Sequence, residues 1–172
     1  MALWSRIQSR IKFPIVRIDD RLIHGQVILG WAEPFKVRPL ILVHNELAQD
    51  NDLKDAIAAT VPTHYNFSIL TIDDAVPVIN NQPTGHRLMV VLESPAMALA
   101  LWERGVTFPS IHIGGLHFKD DRVELLPYVF MTVEEGVQIT LLVDSGVEVV
   151  CQDLPCATPI PWNKLQEKLS VK

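Results

Sequence analysis

Residues 15–27 read IVRIDDRLIHGQV, and the character of this stretch changes twice along its length. It begins apolar, becomes strongly charged, places one histidine beside a glycine, and ends apolar again. This order predicts a buried strand over Ile15–Ile18, a polar loop, and a helix over Gln26–Phe35 in which Pro34 ends or kinks the last turn. Because ligands of open α/β sheets bind beyond the carboxyl ends of the strands, we expect His24 to lie at such an end.

Strand-like and helix-like segments alternate along the rest of the chain. The predicted strands are Pro39–Val43, Phe67–Thr71, Leu88–Leu92, Ser110–Ile113, Tyr128–Phe130 and Val147–Cys151. The predicted helices are Leu47–Thr60, Asp74–Asn80 behind a cap at Thr71 or Asp73, Ala96–Arg104, Thr132–Ser145 and Trp162–Leu169. This alternation predicts an α/β fold in which one open, mainly parallel β-sheet carries helices on both faces, in a single domain.

Three finer details follow from the same patterns. The uninterrupted hydrophobicity of Leu88–Leu92 predicts the centre of the sheet. Gly114 and Gly115 are expected in a loop at the same sheet edge as His24. Thr132 and Glu135 have the spacing of a capping box at the start of the Thr132–Ser145 helix, and Gly146 is expected to end that helix.

Composition limits the classes of function. The chain has 172 residues, of which 48% are hydrophobic and 20% charged, as in one globular domain with a sizeable core. Its net charge of -5 and the absence of a Lys/Arg-rich run argue against nucleic-acid binding. No apolar run reaches the length of a membrane span, and residues 1–12 lack the apolar core of a signal peptide. We expect those residues to form an arm, with a frayed end favoured over a short helix.

The sequence predicts neither a cofactor nor a metal. No G-x-G-x-x-G follows the first strand, and no Walker lysine loop or G-x-S-x-G elbow occurs. Cys151 and Cys156 are spaced neither as a redox pair nor as a usual zinc ligand set. With no export signal, reduced thiols in a cytosolic protein are the expectation.

His24 is the candidate catalytic residue. A neutral imidazole is a good nucleophile near pH 7 because one ring nitrogen carries a free lone pair. Arg17 and Arg21 are candidates for pairing with phosphate oxygens, and Arg21 is the nearer in sequence. Backbone N–H groups at the start of the following helix, from Gly25 to Val27, would add donors.

Two further points complete the residue pattern. Gly25 would let the backbone approach a ligand closely, and Asp19 or Asp20 could orient an arginine or fix the tautomer of the imidazole. These parts suit a phosphoryl group held on a histidine. By spacing alone, a solvated turn with an ordinary loop histidine remains the alternative.

Residues 17–27 also match in full a known signature, R-I-D-D-R-L-I-H-G-Q-V. It is that of the IIB components of the mannose/fructose/sorbose-type sugar phosphotransferase system. The chain resembles this family from Phe13 to about Pro155. Shared features include the order of strands and helices, the loop after the second strand with Asn45 and Asp50, the glycines after Ile113, and the stretch Gly146–Pro155. We therefore expect residues 13–172 to form a IIB-type domain behind the arm.

The resemblance implies a protein-N(pi)-phosphohistidine–sugar phosphotransferase. It implies that His24 is the phosphorylated residue, that Arg21 contacts the phosphate and that Asp19 supports the site. From the residue pattern itself, Arg17, Gly25 and Gln26 are candidate phosphate-binding residues. The implied donor is a phosphorylated IIA protein, and the implied acceptor is a sugar bound by a membrane IIC/IID permease. The implied location is the cytoplasm, peripherally at that permease. The sugar and a homodimer are left open.

Departures from the family pattern leave other functions open. Many members carry an acidic pair where this chain has His44 and Asn45, and the N-terminal arm is additional. A regulatory phosphocarrier or a phosphorylation-dependent binding module without transport is the main alternative, and a small-molecule binding domain without phosphoryl chemistry is a third. For His44 and His117, a solvated loop histidine is favoured over a contact to phosphate or sugar.

Overall fold

The computed structural model describes residues 7–83 and 85–169. Its strands are β1 (Ile15–Asp19), β2 (Leu40–Val43), β3 (Ser68–Leu70), β4 (Met89–Leu92), β5 (Ser110–Gly115), β6 (Val123–Leu126), β7 (Val129–Met131), β8 (Glu148–Cys151) and β9 (Ile160–Pro161). Its helices are α1 (Gln26–Ala32, of π type), α2 (Asn45–Gln49), α3 (Asn51–Thr60), α4 (Ile72–Asn80), α5 (Pro95–Glu103) and α6 (Val133–Asp144). Short 3₁₀ turns cover Thr63–Tyr65, Trp162–Lys164 and Gln166–Leu169.

The strands form one seven-stranded sheet in the order β3-β2-β4-β1-β5-β8-β9. All neighbours in it pair in parallel except β8 and β9, so the predicted mainly parallel sheet is confirmed. The middle strand is β1 rather than the predicted Leu88–Leu92 strand, which lies between β2 and β1. The His24 loop therefore leaves the centre of the sheet, where neighbouring strand ends and loops surround it on both sides.

Helices and apolar side chains cover both faces of the sheet. On one face Ile15, Leu42 and Val91 pack with Trp31 of α1 and with partly buried side chains of α2 and α3. The opposite face packs against α4, α5 and α6 through a larger core. Strand residues therefore point alternately into two cores, which explains why β2 and β4 are apolar throughout.

The long helix predicted over Leu47–Thr60 is two helices. Asp50 has an extended backbone, and its carboxylate accepts the N–H of Leu53 to cap α3. His44 caps α2 in the same way by accepting the N–H of Leu47. The side chain of Asp50 competes for backbone N–H groups, so one helix ends there and the next begins. Hydrophobic spacing alone does not reveal this boundary.

Other boundaries also differ from expectation. The glycines Gly114 and Gly115 belong to β5 and are buried instead of forming a loop. The strands β6 and β7 form a hairpin, of which the sequence predicted only β7. The predicted C-terminal helix is instead two 3₁₀ turns that follow β9. Helix α6 has the predicted capping box of Thr132 and Glu135 and ends before Gly146.

Part of the N-terminal arm is packed rather than frayed. Residues 7–10 are helical, and the side chains of Ile7 and Ile11 pack against the core on the α1 face. The amide of Gln8 donates to the carbonyl oxygen of Pro34 at 3.2 Å. The prediction for residues 1–6 lies outside the described residues, and the division into an arm over 1–12 and a domain over 13–172 stays a prediction.

Candidate active site

The site is the loop between β1 and α1. Asp19 ends the strand, and its carbonyl oxygen accepts the N–H of Leu22 in a turn. Leu22 has a φ of 59°, a left-handed conformation that is unusual for leucine and marks local strain. His24 follows two residues later, and its carbonyl accepts the N–H of Ile28 in the first turn of α1. As expected from the sequence, His24 lies at the carboxyl end of a strand.

The ring of His24 is held at both nitrogens. Its Nε2 lies 3.0 Å from Oδ2 of Asp19, and its Nδ1 accepts the backbone N–H of Gln26 at 3.3 Å. A nitrogen that accepts an N–H carries a lone pair, so the ring proton lies on Nε2 and is donated to the carboxylate. The side chain is 19% exposed, which leaves an edge of the ring accessible.

Asp19 is the buried centre of this arrangement. Its carboxylate has no exposed surface and accepts from His24, from the backbone of Arg21 and from the guanidinium of Arg17. Burial raises the pKa of the Asp19 carboxyl, but the hydrogen bond from His24 and the charge of Arg17 outweigh it, and the pKa lies below its ordinary value. Asp19 is therefore ionised at neutral pH.

Arg17 is buried below the loop and has no exposed surface. Its guanidinium donates to Asp19 at 2.8 and 3.2 Å and to Oε1 of Gln26 at 3.0 Å. It also donates to the carbonyl oxygens of Gln152 at 3.3 Å and Asp153 at 3.0 Å. The sequence placed Arg17 among phosphate-binding residues, but its donors are occupied within the protein.

Arg21 is the accessible cation of the loop. Its side chain is 45% exposed, and its guanidinium donates to Oε1 of Gln26 at 3.1 Å. Its Nε lies 3.6 Å from Oδ1 of Asp19, close enough for an ion pair. Gly25 has an ordinary helical conformation, and a Cβ added there would meet open space. The side of the loop formed by Arg21 and Gly25 is thus open to an incoming group.

A second network fixes the outer side of the same loop. Asp20 accepts the backbone N–H of His117 at 2.8 Å, pairs with the His117 ring, and accepts from Arg122 at 3.0 Å. Arg122 is buried and also binds Glu135, the capping residue of α6, at 2.6 and 3.1 Å. Burial raises the pKa of the Asp20 carboxyl, but these hydrogen bonds outweigh it and lower the pKa below its ordinary value.

This network answers the question left open for His117. Its loop does fold towards the site, but its ring contacts Asp20, not His24. Sequence reasoning missed Arg122 because its partner Asp20 lies 102 positions away in the chain, and it assigned Glu135 only a capping role. Gln152 and Asp153 lie within the stretch that resembles the family, and that match was the available signal for them.

His44 is more than a solvated histidine. Besides capping α2, its Nε2 lies 3.2 Å from the carboxylate of Glu93, which follows β4. It therefore lies at the same sheet edge as His24 and is only 14% exposed. Among the described residues, no group of three or more histidines, cysteines and carboxylates is arranged to hold a metal ion.

A family model for the sorbose subfamily IIB component of the phosphotransferase system matches residues 13–172. The chain belongs to this IIB family. It is 28% identical over 142 residues to the fructose-specific EIIB component of Bacillus subtilis strain 168, covering 82% of this chain and 87% of that protein. It is 31% identical over 136 residues to the mannose-specific EIIAB component of Escherichia coli K12, covering 78% of this chain and 42% of that protein.

A solved structure confirms the fold of this IIB component. The structure, described as a phosphoenolpyruvate-dependent phosphotransferase system protein, superposes with a TM-score of 0.81 at 25% identity, covering 92% of this chain and 98% of that one. The IIB component is therefore an element of sugar phosphotransfer, with a single α/β domain. In its described residues, no helix is both long and apolar enough to cross a membrane.

Gly114 is required by the position of Arg17 in this IIB chain. A Cβ built at Gly114 would lie 1.9 Å from Cζ of Arg17, so any larger residue would displace the guanidinium. We expect Gly114→Ala to lower the free energy of unfolding by about 3 kcal/mol, at the upper end of overpacking in a close-packed interior. Urea denaturation measures this loss.

Gly25→Ala is the matched control for that substitution. Gly25 has a φ of -54°, and its added Cβ would meet open space, so we expect a change of less than about 0.5 kcal/mol. Equal stability of the Gly114→Ala protein and the unaltered protein would show that Arg17 can move aside, which contradicts the prediction.

Proposed function

We propose that His24 accepts a phosphoryl group from the phosphohistidine of a IIA protein and passes it to a sugar bound by a membrane IIC/IID permease. The observation that carries this proposal is the orientation of the His24 ring. Asp19 holds the Nε2–H group, so the lone pair lies on Nδ1, at the edge of the ring beside the start of α1. Nδ1 is accordingly the nucleophile.

The first transfer can be written with all bonds balanced. The Nδ1 lone pair of His24 attacks phosphorus, the N–P bond of the donor breaks, and the donor histidine takes that electron pair. The Nε2 proton stays between His24 and Asp19 throughout, so the carboxylate stabilises the positive charge that develops on the ring. Before the transfer, the N–H of Gln26 donates to Nδ1; once Nδ1 carries the phosphoryl group, that N–H is free to donate to a phosphoryl oxygen.

In the second transfer, His24 is the leaving group instead of the nucleophile. A sugar hydroxyl attacks phosphorus, its proton passes to water, and Nδ1 of His24 leaves with the bonding electron pair. Because such transition states carry charge on the phosphoryl oxygens, catalysis depends mainly on positioning and on positive charge. We propose that Arg21 supplies that charge and that Gly25 leaves room for the phosphoryl group.

For Arg17 we propose a positioning role in place of direct phosphate binding. Its buried guanidinium fixes the carboxylate of Asp19, which in turn fixes the His24 ring. This chain of contacts resembles the way a buried carboxylate sets the tautomer of a catalytic histidine in other enzymes.

The proposed setting follows from the acceptor. A protein that receives its phosphoryl group from a IIA protein and delivers it to a permease must work in the cytoplasm, peripherally at the membrane. Support comes from the family and from the mannose-specific EIIAB relative, whose name joins an A and a B component. A sugar specificity is not part of the proposal.

The direct test is phosphotransfer in vitro. The protein is incubated with phosphoenolpyruvate, the general phosphotransferase proteins and a mannose-class IIA protein, and acid-labile phosphate is located by mass spectrometry. We expect phosphate on Nδ1 of His24, identified by the known difference in base stability and NMR shift between the two phosphohistidine isomers. Folded protein that takes no phosphate from a competent donor would refute the relay.

We expect Arg21→Ala to slow phosphoryl transfer from the IIA donor by about 100-fold, the loss typical when one donor to a developing charge is removed. The fold should change little because the side chain is partly exposed and its ion pair with Asp19 is long, at 3.6 Å; ion pairs that solvent screens contribute under about 1 kcal/mol. Rapid-quench measurement of the transfer rate checks this. Arg38→Ala, which removes an exposed arginine outside the site, is the matched control, and an equal rate in both variants would remove Arg21 from the mechanism.

A further inference from the structure

Exposed apolar side chains form a row that begins beside the loop between β1 and α1. Among residues 7–83 and 85–169, seven large apolar residues are exposed, and four of them belong to this row, which we call the apolar ridge: Phe118, Val133, Val137 and Leu141. Each of the four is between 48% and 65% exposed. Single exposed apolar residues are normal on a protein surface, whereas a continuous row of them marks an interaction site.

Three members of the ridge lie along one side of α6. Val133, Val137 and Leu141 follow one another at intervals of four residues, so they share a face of the helix. A groove of about 290 Å³ lies between this row and the C-terminal 3₁₀ turns, with Gly136 and Trp162 in its wall. The ridge and the groove together form a relief into which an apolar side chain of a partner protein can pack.

Phe118 extends the ridge to the loop between β1 and α1. Its ring meets the ring of Phe130 edge to face, with the centroids 5.9 Å apart, and Phe130 lies three residues before Val133 in the chain. On its other side Phe118 follows His117, whose backbone N–H donates to the carboxylate of Asp20 at 2.8 Å. Asp20 belongs to the loop, so the ridge begins at the site itself.

Helix α6 is oriented so that its end of the ridge starts at the same edge of the sheet. It leads into β8, which is parallel to β5, so α6 runs against the strands and begins where they end. The buried guanidinium of Arg122 joins α6 to the loop, because it donates to Asp20 at 3.0 Å and to Glu135 in the first turn of α6 at 2.6 Å. A partner that approaches His24 from this side therefore also meets the ridge.

The segment that carries most of the ridge is acidic at its surface. In residues 117–137, the exposed side chains with a formal charge are one lysine and four carboxylates: Lys119, Asp120, Asp121, Glu124 and Glu134. None of these five forms an ion pair with another described residue, so their charges are available to a partner. An excess of negative charge around an apolar surface favours partners with positive charge.

We propose that the apolar ridge docks the membrane permease that takes the phosphoryl group from His24. The proposal rests on the relay proposed above and names the surface that one of its two partners uses. Cytoplasmic loops of membrane proteins carry an excess of Lys and Arg, which complements the acidic border of the ridge, and no such general bias applies to a soluble IIA protein. The cytoplasmic face of the bilayer is anionic and would repel this border. The partner that fits is therefore the permease protein and not the lipid.

The test is co-sedimentation of the unphosphorylated protein with inverted membrane vesicles that contain the IIC and IID components of a mannose-class permease. We expect the unaltered protein to bind these vesicles and not vesicles from the same cells without the permease. Because charges contribute, binding should fall about tenfold between about 0.05 M and about 0.5 M salt. Equal binding to both kinds of vesicle, or no binding to the permease vesicles, would overturn the proposal.

Two pairs of variants locate the binding. Val137→Asp places a charge in the middle of the ridge and should weaken binding to the permease vesicles at least about tenfold. Leu53→Asp is its matched control and should bind normally, because Leu53 is similarly exposed but lies on α3, over the opposite face of the sheet. At the acidic border, Asp121→Lys should weaken binding about tenfold, whereas Lys119→Glu should strengthen it. Circular dichroism establishes that the variants are folded.

Labelling by a phosphorylated IIA protein separates this proposal from the relay. The Val137→Asp protein should take phosphate on His24 at the unaltered rate. Slower labelling would assign the ridge to the donor, and self-association that Val137→Asp abolishes would assign it to a second copy of the chain; either result overturns the proposal, as does unchanged vesicle binding by Val137→Asp. Absence of phosphate on the unaltered protein refutes the relay alone, since docking is measured without a phosphoryl group.

Discussion

His24→Ala is expected to take no detectable phosphate from a phosphorylated mannose-class IIA protein, a loss of at least about 100-fold in labelling. The reason is local. Among the six histidines, all of which are described, His24 alone combines an Nε2 held by a buried carboxylate, an Nδ1 beside a helix start and a neighbouring exposed arginine. Labelling with ³²P from phosphoenolpyruvate, followed by gel separation at alkaline pH, measures the result.

Two other histidines provide controls at the same sheet edge. His44→Ala and His117→Ala should reach the same final extent of labelling as the unaltered protein, because His44 binds Glu93 and His117 binds Asp20. Circular dichroism establishes that all three variants are folded. Full labelling of the His24→Ala protein would place the phosphoryl group on another residue and would end the proposed relay.

Arg17→Met is expected to lower the free energy of unfolding by about 3–5 kcal/mol, the cost of breaking a buried ion pair. Methionine fills much of the same volume but leaves the Asp19 carboxylate buried without its main cation, and leaves two backbone carbonyls without a donor. The transfer rate should fall as well, because His24 would lose the fixed partner of its Nε2. Urea denaturation and the rapid-quench assay measure the two effects.

Arg21→Met is the matched control because it removes a partly exposed arginine near the same carboxylate. Its cost in stability should stay under about 1 kcal/mol. Asp19→Asn added to Arg17→Met should restore part of the lost stability by removing the unpaired charge, without restoring transfer. Similar stability losses in Arg17→Met and Arg21→Met would show that Arg17 does not support the site from within.

The order of strands and helices could be predicted because strands such as β2 and β4, which lie between two helical layers, are apolar on both sides. The capping box at Thr132 could also be predicted, since both partners lie within four residues. The division between α2 and α3 could not be predicted, because Asp50 acts through one side-chain hydrogen bond that does not alter the hydrophobic spacing. The order of strands across the sheet depends on contacts between distant parts of the chain. Local patterns therefore did not reveal that β1, rather than β4, is the middle strand.

The same distinction applies to the site. His24, Asp19 and Arg21 lie within six residues, and the signature names them together. The depth of Arg17 could not be inferred from its position next to the loop, because it depends on the absence of a side chain at Gly114 and on carbonyls near position 152. Arg122 and His112 are connected to the loop only through the folded chain, so no local pattern indicates them.

One consequence concerns the two carboxylates that stand side by side at the end of β1. Asp19 is tied inward to Arg17 and His24, while Asp20 is tied outward to Arg122, which continues to the first turn of α6. Their shared backbone is thus anchored from two directions. In the proposed relay the loop meets two different partners in every cycle, and a loop already ordered spares each encounter the loss of chain entropy. Such a preformed surface can therefore dock with each partner without first having to order the loop.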